Sequence, residues 1–222
     1  MTVEDSLHEL ETASYFGVLR YPRSYGNLLY SFLTFPIGLT FFIYAWVCLP
    51  LLIGLSVFIV VLPILYIFLW SLPRLVLVIG YLTELFVGLP VPIKEDIPKE
   101  IEGSYFTKAF NALKDKRIGR SLVYSMFLAL PYGTFVFSLM TFFVSLSGGL
   151  IALPVVYLVQ LGRGLLDQPW ELWFVNNMPV WGIILVLAIA ILIGVLMIPA
   201  VLQLSNKLAI WHARMVQKAL TR

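Results

Sequence analysis

The most telling absence in this chain is charge. Three long stretches, residues 24–73, 121–162 and 172–206, contain no Asp, Glu, Lys or Arg and span 50, 42 and 35 residues. A soluble globular protein carries about 25% charged residues, whereas this 222-residue chain is 12% charged and 60% hydrophobic. Because an apolar run of about 18 residues or more is long enough to cross a bilayer, the sequence predicts an all-α integral membrane protein.

Residues that carry catalysis or metal binding are also scarce. The single cysteine, Cys48, excludes an internal disulfide and a cysteine-based metal cluster. His8 and His212 fall outside the predicted crossings, and His212 is interpreted as a polar residue at the membrane interface. The amides assigned to the spans are Gln160 and Gln203. Because ionisable side chains within a bilayer usually mark ion or proton paths, the charge-free runs argue against a coupled transporter. The prediction is a non-enzymatic protein without catalytic residues, cofactor or metal.

The basic residues predict the topology. Lys and Arg concentrate in short cytoplasmic loops, and here they precede the first run, lie between the first two runs and fill the tail. Apart from Arg74 and Arg163, they are Arg20 and Arg23; Lys94, Lys99, Lys108, Lys114, Lys116, Arg117 and Arg120; and Lys207, Arg214, Lys218 and Arg222. We therefore expect four transmembrane helices in the cell (cytoplasmic) membrane with both termini cytoplasmic. A fifth crossing would place the basic tail outside.

A single membrane domain with four parts follows from these positions. The parts are a cytoplasmic amphipathic N-terminus (1–26), a first repeat unit (27–90), a cytoplasmic loop (91–119) and a second repeat unit (120–222). The first run is expected to turn on the outer side at Pro50 and Gly54. Gly148-Gly149 is expected to end the third helix at about Ser147. Residues 150–162 are then re-entrant, interfacial or a fifth crossing, within an outer insertion at about 150–178.

The repeat is visible in two similar segments. YSFLTFPIG at residues 30–38 resembles YSMFLALPYG at residues 124–133, which is one residue longer. A proline within a helix removes a backbone hydrogen bond and favours a kink. The candidate kink residues are Pro36, Gly38, Pro131, Gly133, Pro63 and Pro199. Pro63 corresponds to either Pro154 or Pro199. Each unit is predicted to be two pseudo-repeated membrane helices followed by an in-plane amphipathic helix, at residues 74–89 and 204–221.

Two groups of side chains are candidates for binding outside the crossings. A ligand or partner region on the outer face is predicted at Arg163, Asp167, Trp170, Glu171 and Trp173, since Trp favours the interface. Contacts with lipid headgroups or a partner are predicted at Lys114, Lys116, Arg117, Arg120, Lys207 and Arg214. The expected partners are membrane lipids and a protein, either a cytoplasmic regulator, a membrane complex or a second copy of the chain. No nucleic acid is expected.

Several sequence blocks resemble the putative sensor domain family, a four-helix membrane domain of bacterial and archaeal sensor proteins that often precedes a histidine kinase. In order, the blocks are SYGNLLY (24–30) with FPIGL (35–39), VPIKEDIP (91–98), RSLVY (120–124), LPVVY (153–157) and LAIWHAR (208–214). The resemblance covers about residues 20–220. It implies signalling without an established ligand or catalytic residues. Because the chain stops at Arg222, the output is expected to pass to a separate partner.

The sequence thus favours a membrane sensor that passes an envelope or ligand signal to another protein. An event at the outer face would shift the kinked helices, and the in-plane helices would report the shift. The alternative is a structural accessory subunit of a larger membrane complex. A third interpretation, lipid binding or scrambling, depends only on the in-plane helices and the apolar surface.

Overall fold

A computed structural model describes residues 14–89, 104–163 and 176–220. Its secondary structure in these ranges is helical. The elements are α1 (Pro22–Leu55), α2 (Leu62–Phe86), α3 (Tyr105–Lys114), α4 (Lys116–Val123), a π-helical turn (Tyr124–Leu128), α5 (Ala129–Arg163) and α6 (Val180–Leu220). Short 3-10 turns at Gly17–Arg20 and Ile59–Val61 precede α1 and α2. The N-terminal residues 1–13 of the predicted amphipathic segment lie outside the described ranges.

Four helical stretches in the described part of the chain are long and apolar enough to cross a membrane. They are Pro22–Leu55, Leu62–Phe86, Lys116–Arg163 and Val180–Lys218. A helix pairs its backbone polar groups along its own length, as a bilayer requires, except where an internal proline removes one hydrogen bond. The prediction of an all-α, multi-pass membrane protein is confirmed.

The turn between the first two spans lies later than expected. Pro50 and Gly54 are inside α1, and the chain reverses between Ser56 and Val61. Pro63 then occupies the first turn of α2, where the missing N–H of a proline would have had no helical partner. The prediction that Pro63 is a kink within a helix is therefore wrong.

The predicted break at Gly148-Gly149 is also wrong, because α5 continues through both glycines and Pro154 to Arg163. A glycine in a helix costs about 1 kcal/mol relative to alanine, which contacts with a neighbouring helix can offset. Here Ser147 Oγ donates to the carbonyl of Gly194 on α6 at 2.8 Å. Residues 150–162 thus belong to α5, and Pro154 does not correspond to Pro63, which starts the second helix of its own hairpin.

The two predicted in-plane segments are not separate helices. Residues 74–86 continue α2, and residues 204–220 continue α6, without a break. The 41 residues of α6 extend over about 60 Å at 1.5 Å per residue, about twice the thickness of a bilayer's hydrocarbon core. A large part of α6 therefore lies beyond the hydrocarbon layer if the helix crosses it once.

Helices α1 and α5 pack against each other through two glycines. Gly38 contacts the backbone carbonyl of Ala129, and a Cβ added at Gly133 would lie 2.5 Å from the carbonyl oxygen of Thr34. The later residue of α1 meets the earlier residue of α5, so the two helices are antiparallel. The reciprocal contact also relates the two Pro-x-Gly segments by an approximate twofold, which is the arrangement that a duplicated unit would produce.

The π-helical turn accounts for the length difference between the two similar segments. A π-turn inserts one residue into an α-helix, and the segment at 124–133 is one residue longer than the segment at 30–38. The insertion lies between Tyr124 and Leu128, before the Pro-x-Gly. The helix therefore keeps Gly133 in contact with α1 while Tyr124 still points at His212.

The basic segments contact opposite ends of α2. The guanidinium of Arg23 lies against Gly88, just after α2, while Lys108 of α3 lies over the ring of Tyr66 near its start. Gly88 has φ +83°, a conformation that glycine adopts without steric cost. If α2 crosses the membrane once, segments at its two ends lie on opposite sides, so these contacts do not support the predicted cytoplasmic side that the two segments share; that side stays a prediction.

We expect Gly38→Ala and Gly133→Ala each to lower the stability of the folded protein by about 1–3 kcal/mol, because the new methyl group would overlap a backbone carbonyl. Thermal unfolding of the purified protein in a mild detergent would measure the change. Gly148→Ala is the matched control, since a Cβ there meets nothing within 4 Å and alanine favours a helix. Equal melting temperatures for all three variants would contradict the proposed contact.

Candidate functional site

The helices enclose a group of polar side chains that we call the buried polar cluster. It is contributed by α1, by the π-turn with α5, and by α6. Its members are Ser24, Asn27, Tyr30, Ser31, Tyr124, Tyr132, Ser205, Asn206 and His212, all of which are buried. None of them is a charged residue, so the cluster lies within or next to the charge-free runs.

His212 is the centre of one half of this cluster. Its side chain is only 4% exposed. Nδ1 lies 2.7 Å from the hydroxyl of Tyr30, and Nε2 lies 2.9 Å from the hydroxyl of Tyr124. The ring of Tyr132 stacks on the imidazole at 4.4 Å with an interplanar angle of 6°, and its hydroxyl donates to the carbonyl of Leu208. His212 therefore connects α6 to α1 and α5 at once.

The other half of the cluster joins α1 to α6 through amides and hydroxyls. Asn27 Nδ2 donates to Asn206 Oδ1 at 2.8 Å, and Asn206 Nδ2 donates to Ser24 Oγ at 3.0 Å. The hydroxyls of Ser31 and Ser205 lie 3.1 Å apart. Asn27 Oδ1 accepts no hydrogen bond from the described residues. An unpaired buried acceptor costs about 1–3 kcal/mol, so this half is not fully satisfied.

Helical spacing explains why these residues meet. Ser24, Asn27 and Ser31 are three and four residues apart, which places them on one face of α1. On α6, Ser205 and His212 are seven residues apart and share a face in the same way. A search for uncharged polar residues at helical spacing would have found both stripes, whereas a search for charge overlooks them.

His212 and the amides depart from the sequence interpretation. His212 was expected at the interface because Lys207, Arg214 and Lys218 give this end of α6 an amphipathic pattern. The structure instead buries it, since it lies on the opposite face from those cations, which are exposed. The sequence interpretation assigned Gln160 and Gln203 to the spans and left out Asn27 and Asn206, which form a hydrogen bond between α1 and α6.

The chemistry of the cluster is that of a hydrogen-bonded junction. A neutral imidazole donates from one nitrogen and accepts at the other, whereas a protonated imidazole donates from both. A tyrosine hydroxyl can donate or accept. Tyr30 and Tyr124 can therefore stay bonded to His212 in either protonation state by rotating their hydroxyl hydrogens. In the described residues, no three Asp, Glu, Cys or His side chains come together as a metal site would require.

The structure brings together some of the predicted kink residues. Gly38 and Gly133 lie at the α1–α5 contact, and Pro36 and Pro131 precede them by two residues on the same helices. Pro199 is buried inside α6. Of the outer-face candidates, Arg163 is exposed at the end of α5. The other four, Asp167, Trp170, Glu171 and Trp173, lie outside the described residues.

The basic candidates separate into two groups. Lys116 and Arg120 line a groove beside α6, together with Lys218, which the sequence interpretation did not select. The remaining candidates do not line this groove. Lys114 stacks on Phe110, the Arg117 backbone N–H donates to Asp115 at the start of α4, and Lys207 and Arg214 are exposed on α6.

Comparison with known families supports the resemblance noted in the sequence. The profile of the family described as "Putative sensor" matches residues 17–220. The chain belongs to this family. No curated protein and no solved structure matches the chain. Three of the sequence blocks that carry the resemblance converge on the buried polar cluster. SYGNLLY contributes Ser24, Asn27 and Tyr30, RSLVY contributes Tyr124, and LAIWHAR contributes His212.

We expect Tyr30→Phe and Tyr124→Phe each to destabilise the protein by about 1–3 kcal/mol, because each leaves one nitrogen of a buried imidazole without its partner. Detergent-solubilised protein would be compared by thermal or denaturant unfolding. Tyr81→Phe is the control, since Tyr81 is exposed on α2 and a surface substitution usually changes stability by about 0.5 kcal/mol or less. If both cluster variants unfold like this control, the tyrosine–histidine bonds do not contribute to the fold.

Proposed function

We propose that this member of the family is a non-enzymatic membrane sensor module whose output is a change in packing between two helical hairpins. The first hairpin is α1 with α2, and the second is α5 with α6. The observation that carries the proposal is the buried polar cluster, because it lies where α1 meets α5 and α6. A signal that displaces one hairpin against the other must rearrange hydrogen bonds at His212 or between Asn27 and Asn206.

The polar composition of the cluster between the hairpins suits a contact that changes better than one that is fixed. An apolar core of the same volume would contribute at least as much stability as a polar network with an unpaired acceptor. Asn27 Oδ1 is such an acceptor among the described residues. Polar side chains instead distinguish one arrangement of helices from another, and switching proteins need an element with two discrete arrangements. The Gly38–Gly133 contact adds a smooth backbone surface, as in small-residue interfaces between membrane helices.

The ends of the same helices offer routes for input and output. The C-terminal half of α5 and the N-terminal half of α6 expose apolar side chains along their length, so they would respond to the surrounding bilayer. The opposite end of α6 carries His212 inside and exposed Arg214 and Lys218 outside. A shift at the cluster therefore changes the position of a basic surface that a protein partner can bind.

A structural accessory subunit is the second candidate. Its support is that the most apolar part of two spans is hardly buried within the chain. The buried share of this part is 6% in Lys116–Arg163 and 11% in Val180–Lys218. Such surfaces face lipid or another membrane protein. Purification in a mild detergent separates the two candidates, because an accessory subunit retains a stoichiometric partner under all conditions, whereas a sensor does not require one to change its packing.

We expect the distance between spin labels on the two hairpins to change with the membrane environment. The test pair is Ile43→Cys with Lys207→Cys, both exposed, in a Cys48→Ser background. Pulsed electron paramagnetic resonance would compare thin and thick phosphatidylcholine bilayers, bilayers with phosphatidylglycerol, and acidic with neutral buffer. A sensor that moves its hairpins gives at least one condition with a shifted or two-component distance distribution.

The control pair is Leu55→Cys with Val78→Cys, which reports within the first hairpin. Its distance should stay constant while the test pair changes. Constant distances for both pairs in every bilayer and buffer would count against the sensor. Equal changes in both pairs would indicate that the protein deforms as a whole rather than at the junction between hairpins.

A further inference from the structure

A groove of about 540 Å³ lies between α4, with its π-helical continuation, and the C-terminal end of α6. This volume is within the range of about 300–1,000 Å³ that is usual for small-molecule sites. One wall comes from Lys116, Arg120 and Val123, which are four and three residues apart and so share a helix face. Met215 and Lys218 of α6 form the facing wall.

The groove combines positive charge with apolar surface. Lys116 and Arg120 approach from α4 and Lys218 approaches from α6, while Val123, Leu128 and Met215 supply the apolar lining. Its ligand must therefore be anionic in one part and hydrocarbon in another. A soluble phosphate would leave the apolar wall uncovered, and a neutral lipid would bring no negative charge to the basic side chains that line the groove.

The position of the groove favours a membrane lipid over a soluble amphiphile. Its walls are the end portions of the two stretches Lys116–Arg163 and Val180–Lys218, each of which is long and apolar enough to cross a membrane. At the end of a membrane helix, headgroups and acyl chains lie within reach of one site, and basic residues there attract anionic lipids. The same helices would hold the lipid headgroup at the membrane surface and its acyl chain towards the hydrocarbon layer.

We propose that this groove is a binding site for one anionic phospholipid. Lys116, Arg120 and Lys218 bind the phosphate, and an acyl chain packs against Val123, Leu128 and Met215. The proposal depends on this lining and not on the sensor function. Tyr124 would connect the two, since it is one of the residues that line the groove and its hydroxyl bonds to His212.

Native mass spectrometry of the full-length protein in neutral detergent would measure binding directly. The ligands are phosphatidylglycerol, phosphatidylcholine with the same acyl chains, and glycerol 3-phosphate. We expect phosphatidylglycerol to bind about tenfold or more tightly than phosphatidylcholine because of the three cations. Glycerol 3-phosphate, which has no acyl chain, should neither bind nor displace the lipid. Equal binding of the two lipids, or displacement by glycerol 3-phosphate, would overturn the proposal.

Gly119→Leu tests the groove without changing any charge. A Cβ at Gly119 meets nothing within 4 Å, so the leucine extends into the space that the acyl chain would occupy and also favours the helix. We expect the affinity for phosphatidylglycerol to fall about tenfold or more, as for a blocked apolar site. Gly148→Leu is the control, because a Cβ there is equally unobstructed and lies outside the groove. Unchanged lipid affinity in Gly119→Leu would refute the site.

A pair of triple variants separates a specific site from general attraction to anionic lipid. Lys116→Gln, Arg120→Gln and Lys218→Gln remove the groove cations, whereas Lys114→Gln, Arg163→Gln and Lys207→Gln remove three exposed cations elsewhere. Both lower the net charge equally. Only the first should lose the preference for phosphatidylglycerol, and equal loss in both would mean surface electrostatics alone. If the first triple variant fails to fold, Gly119→Leu still decides the question.

Discussion

Backbone contact between α1 and α5 organises this fold, because it brings the two hairpins together. At Gly38 and Gly133 there is no side chain between the helices, and the carbonyls of Ala129 and Thr34 lie within van der Waals reach. Membrane helices associate through packing rather than through exclusion of water, so such a close approach is a main source of attraction. The contacts of α6 with α1 lie beside this close approach.

The buried polar cluster follows from that approach. Once α1 and α5 touch, α6 fits against both, and His212 reaches Tyr30 on one helix and Tyr124 on the other. The π-turn is part of the same arrangement, since it takes up the additional residue of the second repeat and keeps Tyr124 directed at the imidazole. The π-turn thus lets the second copy of the segment direct its tyrosine, Tyr124, at the same histidine that Tyr30 of the first copy contacts. Tyr124 also lines the groove that we propose as a phospholipid site, so this one residue links that surface to the core.

The fold class was predictable because hydrocarbon imposes a simple rule. Any segment that spans it must be apolar over about 20 residues, and that rule acts on each run separately. The Pro-x-Gly repeat was visible for the same reason, as a similarity between two local segments. Gly148-Gly149 and Pro154 led to a wrong prediction of a helix break, because their backbone preferences act locally. The helix continues through them, and at this point it is bonded to α6 through Ser147 and Gly194, a contact that the local sequence does not show.

The sequence alone thus determined that this protein is a helical membrane domain, that four of its stretches can cross a bilayer, and that three long runs lack charge. These properties depend on composition and on periodicity along one helix. Only the tertiary structure decided that His212 is buried, that Asn27 pairs with Asn206, and that Lys218 joins Lys116 and Arg120 at one groove. His212 and its partner Tyr30 are 182 positions apart, and such meetings depend on how the helices pack, which no local pattern encodes.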